Sequence, residues 1–210
     1  MADYKALRKK VNELAERKWD VEGISTRINK LVVDGIPRKN LDPKELNARR
    51  KEILDRVQLR AEEYNFIAKN CAKGTALALM EEFGQGNMEI IKALSPFPGI
   101  GGTGGICGGI TGALINFGLF FGNDNPMIKI EGEKNPVKIA QKYIKDFVAK
   151  LGNLYCADII ETVVLGHRIN PGYSAESMAI FASEKGFEKC GLAPGIGARR
   201  AAEIIIDSMQ

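Results

Sequence analysis

Residues 95–121 read SPFPGIGGTGGICGGITGALINFGLFF, a Pro/Gly loop that runs directly into an apolar segment. The prolines and glycines up to Gly109 disfavour a regular element, whereas residues 110–121 suit a helix that Asn123-Asp124-Asn125-Pro126 stops. Residues 105–122 carry no charge. Their length only just reaches what a bilayer needs, they are rich in glycine, and no basic cluster flanks them. They are expected to form a buried core helix and not a membrane span. A helix buried on all sides needs other helices around it.

The flanking sequence supplies them. Downstream, residues 135–152 form an amphipathic pattern with Val137, Ile139, Ala140, Tyr143, Phe147 and Leu151 toward the core, and further helices are expected at 154–165, 174–185 and 196–208. Upstream, CAKGTALALMEEF at 71–83 is an Ala/Leu-rich helix ended by Gly84-Gln85-Gly86, with a short helix after it at 87–94. The composition changes near residue 66. Before it, Leu7, Val11, Leu14 and Ala15 mark a helix over 4–18, and Val21, Ile24, Ile28, Leu31 and Val32 mark another over 20–33. A third is expected from Asp42 to about Lys69, with Asp42 as N-cap, Pro43 in the first turn, Glu45 at the capping-box position, and a stripe of Leu46, Ile53, Val57, Ala61 and Tyr64. Nothing alternates as a strand would. The expected fold is all-α: a compact helical domain over 66–210 with a Gly-rich loop, preceded by a helical arm over 1–65. So short an arm buries its apolar stripe poorly by itself, so it is expected to pack on a second copy and give a homodimer.

Composition bounds the rest. At 210 residues, 45% hydrophobic and 27% charged, the chain can bury a core and is not disordered throughout. The net charge is +4, and residues 1–70 hold 17 Lys/Arg against 12 Asp/Glu. Solvated helix faces explain that excess, and no nucleic-acid partner is expected. The start, MADYKALRKKVNELAERKWD, lacks an apolar signal region, which points to the cytoplasm. Cysteines in a reducing compartment are seldom disulfides, so metal or redox chemistry is favoured.

The cysteines are Cys71, Cys107, Cys156 and Cys190, separated by 36, 49 and 34 residues. No CxxC or CxxCH occurs, which removes rubredoxin, zinc-ribbon, thioredoxin and c-haem signatures. His167 is the single histidine, so a two-histidine Rieske centre is impossible in one chain. Cys71 opens a helix, Cys107 joins the Gly loop to a helix, Cys156 precedes a helical pattern, and Cys190 precedes Gly191 and a turn. Helix starts favour a thiolate, and glycine lets backbone N–H groups approach sulfur. Gly101, Gly102, Gly104, Gly105, Gly108 and Gly109 are the candidate approach residues. Gly108 and Gly112 lie on one helix face and permit close packing. A buried, inert cysteine is the alternative for each thiol alone. A phosphate cradle is disfavoured: no GxxxxGK[ST] and no preceding strand is present. Asp158, Glu81-Glu82 and His167 form no visible acid–base set and read as surface groups.

From about Asn70 to Gln210 the chain resembles the redox-active four-cysteine family named for its C_GCAxxG_C_C pattern. Asn70-Cys71-Ala72 matches the first cysteine, and Cys107-Gly108-Gly109-Ile110-Thr111-Gly112-Ala113 the CGAxxGA segment, with Gly109 in place of the usual Ala. Tyr155-Cys156-Ala157-Asp158-Ile159-Ile160 matches the third cysteine, and Cys190 the fourth. The first 65 residues have no counterpart. A related domain occurs in split-Soret cytochromes, where it resembles an iron–sulfur module. The resemblance implies an iron–sulfur cluster on the four cysteines, [2Fe–2S] ahead of [4Fe–4S], in electron transfer or as a redox subunit with a redox partner protein that the sequence does not name. A thiol–disulfide oxidoreductase or redox sensor, and a zinc-stabilised interaction module, are the alternatives.

Overall fold

The computed structural model describes residues 2–209. In chain order its helices are α1 (Tyr4–Glu16), α2 (Val21–Asp34), α3 (Pro43–Ala48), α4 (Arg50–Ala68), α5 (Cys71–Phe83), α6 (Met88–Ala93), the single turn α7 (Gly99–Gly102), α8 (Gly108–Phe121), α9 (Pro136–Leu151), α10 (Cys156–Ile159), α11 (Ala175–Ser183), α12 (Gly186–Lys189) and α13 (Leu192–Asp207). A π-helical stretch, Ile160–Leu165, continues α10. Among the described residues there is no strand, and the one extended pairing is an isolated antiparallel bridge between Ile106 and Tyr155. The fold is all-α.

α5 lies at the centre because its residues allow it. Ala72, Gly74, Thr75, Ala76, Leu77, Ala78, Leu79 and Met80 are all buried, and small side chains let neighbours approach from every side. α4, α8 and α13 pack around it, and α9 covers α8 and α13. α8 is a core helix, as its lack of charge suggests, but it is not buried all round: Leu114, Ile115, Leu119 and Phe120 are half-buried and Gly118 is exposed. No helix among the described residues is long and apolar enough to cross a membrane. Gly112 lets α8 approach α5 closely: a Cβ there would lie 2.9 Å from the Thr75 Cβ and 3.1 Å from the Ala76 amide nitrogen.

The arm packs on the domain. Leu7, Val11 and Leu14 of α1 and Ile24 and Leu31 of α2 join one core cluster with α4, α5, α8 and α13. Arg17 pairs with Glu62 at 2.6 Å and Arg27 with Glu63 at 2.8 Å, tying both arm helices to α4. The stripe expected on α4 is buried as read. Glu62 and Asn65 are buried beside it, because α4 is covered by α2 on one side and by α5 and α13 on the other.

Several local expectations shift. Arg49 (φ −103°, ψ 14°) divides the helix expected from Asp42 to Lys69 into α3 and α4. Asp42 caps α3 by accepting the Lys44 N–H at 2.9 Å, while Glu45 accepts from Arg49 at 3.1 Å instead of closing a capping box. α13 begins at Leu192 and not at 196, since Pro194 sits in the first turn, where no helical N–H is required of it. Val137, expected in the core, is 63% exposed, while Ile139 on the same turn is buried.

Candidate functional site

Three of the four cysteines stand at the N-terminal end of a helix, and the fourth, Cys190, is the C-cap of α12 just ahead of α13. Cys71 is the first residue of α5, Cys107 the N-cap of α8, and Cys156 the first residue of α10. Cys190 precedes Gly191, the N-cap of α13. Each is positioned by local chemistry. Asn70 caps α5 by accepting the Lys73 N–H at 3.0 Å, and its own amide donates to the Ser95 carbonyl at 3.2 Å. Around the Ile106–Tyr155 bridge, the Cys107 N–H donates to the Leu154 carbonyl at 2.9 Å and the Cys156 N–H to the Gly105 carbonyl at 2.6 Å. Two cysteines 49 residues apart are thereby held side by side. The Cys190 N–H donates to the Gly186 carbonyl at 2.8 Å, and Asn65 of α4 reaches across to the Phe187 carbonyl at 3.2 Å.

All four thiols are free. Cys71, Cys156 and Cys190 line one cavity of about 140 Å³ with Pro98, Gly99 and Asn170. Cys107 does not line that cavity; it is buried close to Cys71. The neighbouring Cys107 thiol, then the backbone N–H groups of Gly108, Cys71 and Ala72, pull the Cys71 thiol below its ordinary value against the cost of burial. Cys107 is raised well above its ordinary value by its neighbour Cys71, by burial, and by the charges of the other three cysteines. Burial, then the charge of Cys71, pushes Cys156 up to about 12. Cys190 is raised well above its ordinary value by burial, then by Cys71 and Cys156. Every pair among the four cysteines is therefore close enough to interact electrostatically.

The glycines divide by role. Gly108 brings α8 onto Cys71: a Cβ there would lie 2.6 Å from the Ala72 amide nitrogen, with the Cys71 sulfur closer still. Gly102 and Gly104 line the cavity. The N–H groups of Gly101, Gly102 and Gly105 donate within the loop, to the carbonyls of Pro96, Pro98 and Gly99. Gly109 packs α8 on α13, with its Cβ position 2.9 Å from the Ala193 carbonyl oxygen. At the tip, Ile100 has φ 49°, a left-handed conformation that is costly for a β-branched residue.

The other ionisable candidates lie in ion pairs. His167 meets Glu184 at 2.9 Å on the surface, Asp158 pairs with Arg168 at 2.8 Å, Glu82 with Arg56 at 2.7 Å, and Glu81 accepts the Tyr64 hydroxyl. The cavity itself has no carboxylate, and Lys69 is its one charged side chain. Lys69 lies over the rings of Phe66 and Phe187, 4.4 and 5.0 Å from their centroids.

Whether this set suits an iron–sulfur centre is decided by its donors. Among the described residues, no three His, Cys, Asp or Glu side chains are already closed to metal-binding geometry. Three of the thiols line one space instead of converging on a point, and Cys107 is buried next to Cys71. Their chemistry suits the group: four sulfur donors, no competing carboxylate, and an unsatisfied hydrogen-bond donor, the buried Asn170 Nδ2, on the same cavity. Gly99 also leaves room beside sulfur, for a Cβ there would press on the Cys156 Cβ and Sγ at 3.3 and 3.4 Å. Asn170 and Gly99 went unnoticed in the sequence because neither belongs to a motif. The turn Asn170-Pro171-Gly172 was the only local signal.

No curated protein and no solved structure matches the chain. The model of one protein family, described as "Putative redox-active protein (C_GCAxxG_C_C)", matches residues 69–204, a span that begins just before Cys71 and takes in all four cysteines and most of α13. With about two-thirds of its length matched, this chain belongs to the C_GCAxxG_C_C family of redox-active proteins.

Proposed function

We propose that the protein holds an iron–sulfur cluster on Cys71, Cys107, Cys156 and Cys190 and serves in electron transfer, as a carrier or as a redox subunit. The observation that carries this reading is that Cys71, Cys156 and Cys190 line one cavity free of carboxylates, with Cys107 buried beside Cys71. At about 140 Å³ the cavity is small for an organic cofactor, whose sites run to roughly 300–1,000 Å³. When bound, such a cluster supplies one-electron chemistry. The protein's part is to hold and tune it. Helix N-termini and the amides at Gly108, Cys71 and Ala72 favour negative sulfur, Gly102 and Gly104 allow backbone approach, and burial keeps water away. Gly101, Gly105 and Gly109 serve by building the loop and the helix contacts. The family resemblance puts [2Fe–2S] ahead of [4Fe–4S], and free thiols suit the cytoplasm.

The adjacent pair Cys71 and Cys107 supports a second reading, a thiol–disulfide switch, because a more acidic thiol beside a second thiol suits exchange. Zinc on the same four thiols is the redox-silent variant. Homodimerisation through the arm now rests on what α2 leaves exposed: Val21, Val32 and Val33 at 52%, 57% and 82%. Sedimentation of the full chain tests it, and a monomer at all concentrations removes it.

Anaerobic purification with iron, sulfide and zinc analysis tests the main reading, together with the four single Cys→Ser variants. Visible absorbance with iron and sulfide in the wild type, lost or altered in each variant, is the expected result. Any variant with full iron and an unchanged spectrum removes that cysteine from the ligand set. A colourless wild type in which two cysteines oxidise reversibly replaces the cluster with the thiol switch.

A further inference from the structure

We infer that Asn170 is a positioning residue for the sulfur centre, its side-chain amide donating a hydrogen bond to cysteine or cluster sulfur and setting the reduction potential. This rests on the cluster reading above. The Asn170 Nδ2 is buried without a hydrogen-bond partner, which is destabilising in a folded interior unless an acceptor arrives. Its orientation is fixed, because the Asn170 Oδ1 accepts the Gly172 N–H at 3.1 Å, so the NH₂ is directed the other way. A Cβ on Gly104 would lie 3.5 Å from that nitrogen. The backbone is held as well: the Tyr173 N–H donates to the Asn170 carbonyl at 3.2 Å, and the turn packs so closely on the Gly loop that a Cβ on Gly172 would lie 2.8 Å from the Gly102 Cα.

Asn170 lines the same cavity as Cys71, Cys156 and Cys190, whose lining side chains include no carboxylate and no hydroxyl. Apart from the Asn65 amide oxygen, the side-chain acceptors on this cavity are the cysteine sulfurs, and these are the ones that gain negative charge on reduction. Reduction takes one electron from an external donor, with no bond made or broken, and adds negative charge to sulfur. A fixed donor favours that state, so its loss lowers the potential.

The test compares the wild type, Asn170→Asp and Asn170→Leu, each loaded with iron and sulfide without oxygen. Asp keeps the acceptor for the Gly172 N–H and removes the donor. Leu removes the donor without adding charge. Both variants are expected to keep wild-type iron and to fall in midpoint potential. At a fixed potential the reduced-to-oxidised ratio should drop by about tenfold, equivalent to about 59 mV for one electron. A wild-type potential in Asn170→Leu overturns the assignment, even if Asn170→Asp falls, since charge alone then explains the Asp variant. Should the Leu variant fail to load, deuteron coupling in the reduced protein after exchange into D₂O decides: a coupling present in the wild type and missing in Asn170→Asp supports the bond, and one retained overturns it. Absence of iron from the wild type refutes the cluster reading and this assignment together, whereas loaded variants with an unchanged potential refute only the role of Asn170.

Discussion

Gly74 separates packing from helix propensity better than any other position in this chain. It faces α4 from the first turn of α5, where a Cβ would lie 2.8 Å from the Asn65 amide nitrogen and 2.9 Å from the Ala61 carbonyl oxygen. Ordinary contact begins at 3.4 Å, so Gly74→Ala must move α5 off α4 by 3.4 − 2.8 = 0.6 Å. Both obstacles are backbone atoms, and no rotamer can swing away. That puts the overpacking cost near the upper end of its usual range, about 3 kcal/mol. Alanine returns about 1 kcal/mol of helix propensity, leaving a net loss of about 2 kcal/mol. Gly118, in α8, is the control: it is exposed and nothing lies within 4 Å of its Cβ position. Gly118→Ala should gain about 1 kcal/mol by propensity alone. For a chain of this size, Tm should fall by about 4–8 °C in the first variant and rise by about 2–4 °C in the second. Urea midpoints at constant m-value would confirm that stability is what changes. Cys71 lies one turn from Gly74, so Gly74→Ala should also retain less iron after anaerobic reconstitution. Equal or greater stability of Gly74→Ala relative to Gly118→Ala would refute the claim that close α4–α5 approach shapes the site.

Other outcomes are expected. Asn70→Ala removes the cap of α5 and should cost about 1 kcal/mol in urea denaturation, with faster loss of iron to a chelator than in the wild type. Glu62 titrates above its ordinary 4.5, chiefly through burial and against the pull of Arg17. A raised carboxyl adds stability below its unfolded value, and that contribution is lost as pH rises through the folded value. Glu62→Gln imitates the protonated form, so its stability relative to the wild type should improve as pH rises from about 4 to about 7. A relative stability that declines instead would show that the Arg17 pair outweighs burial. Tyr143→Phe withdraws the hydroxyl that donates to the Gly109 carbonyl at 2.8 Å, and should cost about 1 kcal/mol by thermal melt with the helical circular dichroism unchanged.

Much of this architecture is legible from local chemistry. The uncharged run after Cys107 announces a core helix, the Ala/Leu pattern of 71–83 a central one, and Asp42-Pro43 a start. The four cysteines could be grouped because each lies near a helix start or a glycine. What local patterns miss is contact between distant segments. Val137 fits the apolar periodicity of α9, yet it is exposed while Ile139 on the same turn is buried. The stripe of the arm reads as available to a second copy, yet Leu7, Val11 and Leu14 are buried within their own chain. Glu62 resembles any helix-surface acid until α13 closes over it at Gly195, whose Cβ position is 2.7 Å from the Glu62 Oε1. Asn170 is one polar residue in a turn, and only the Gly loop packed against it makes its amide conspicuous.

The helix starts that gather at the cysteines carry a cost of their own. Each N-terminus presents a partial positive charge, and several of them directed at one small, dry space repel one another. Mostly protonated thiols do little to offset this. Negative charge placed among them turns the repulsion into attraction, with α5, α8, α10 and α13 all drawn to a common counter-charge. The site then works as a keystone, with the ends of these helices loosest when it is missing and most rigid when it is in place. Exchange of amide hydrogens at these helix starts would therefore report the filling of the site from elements that span residues 71–207.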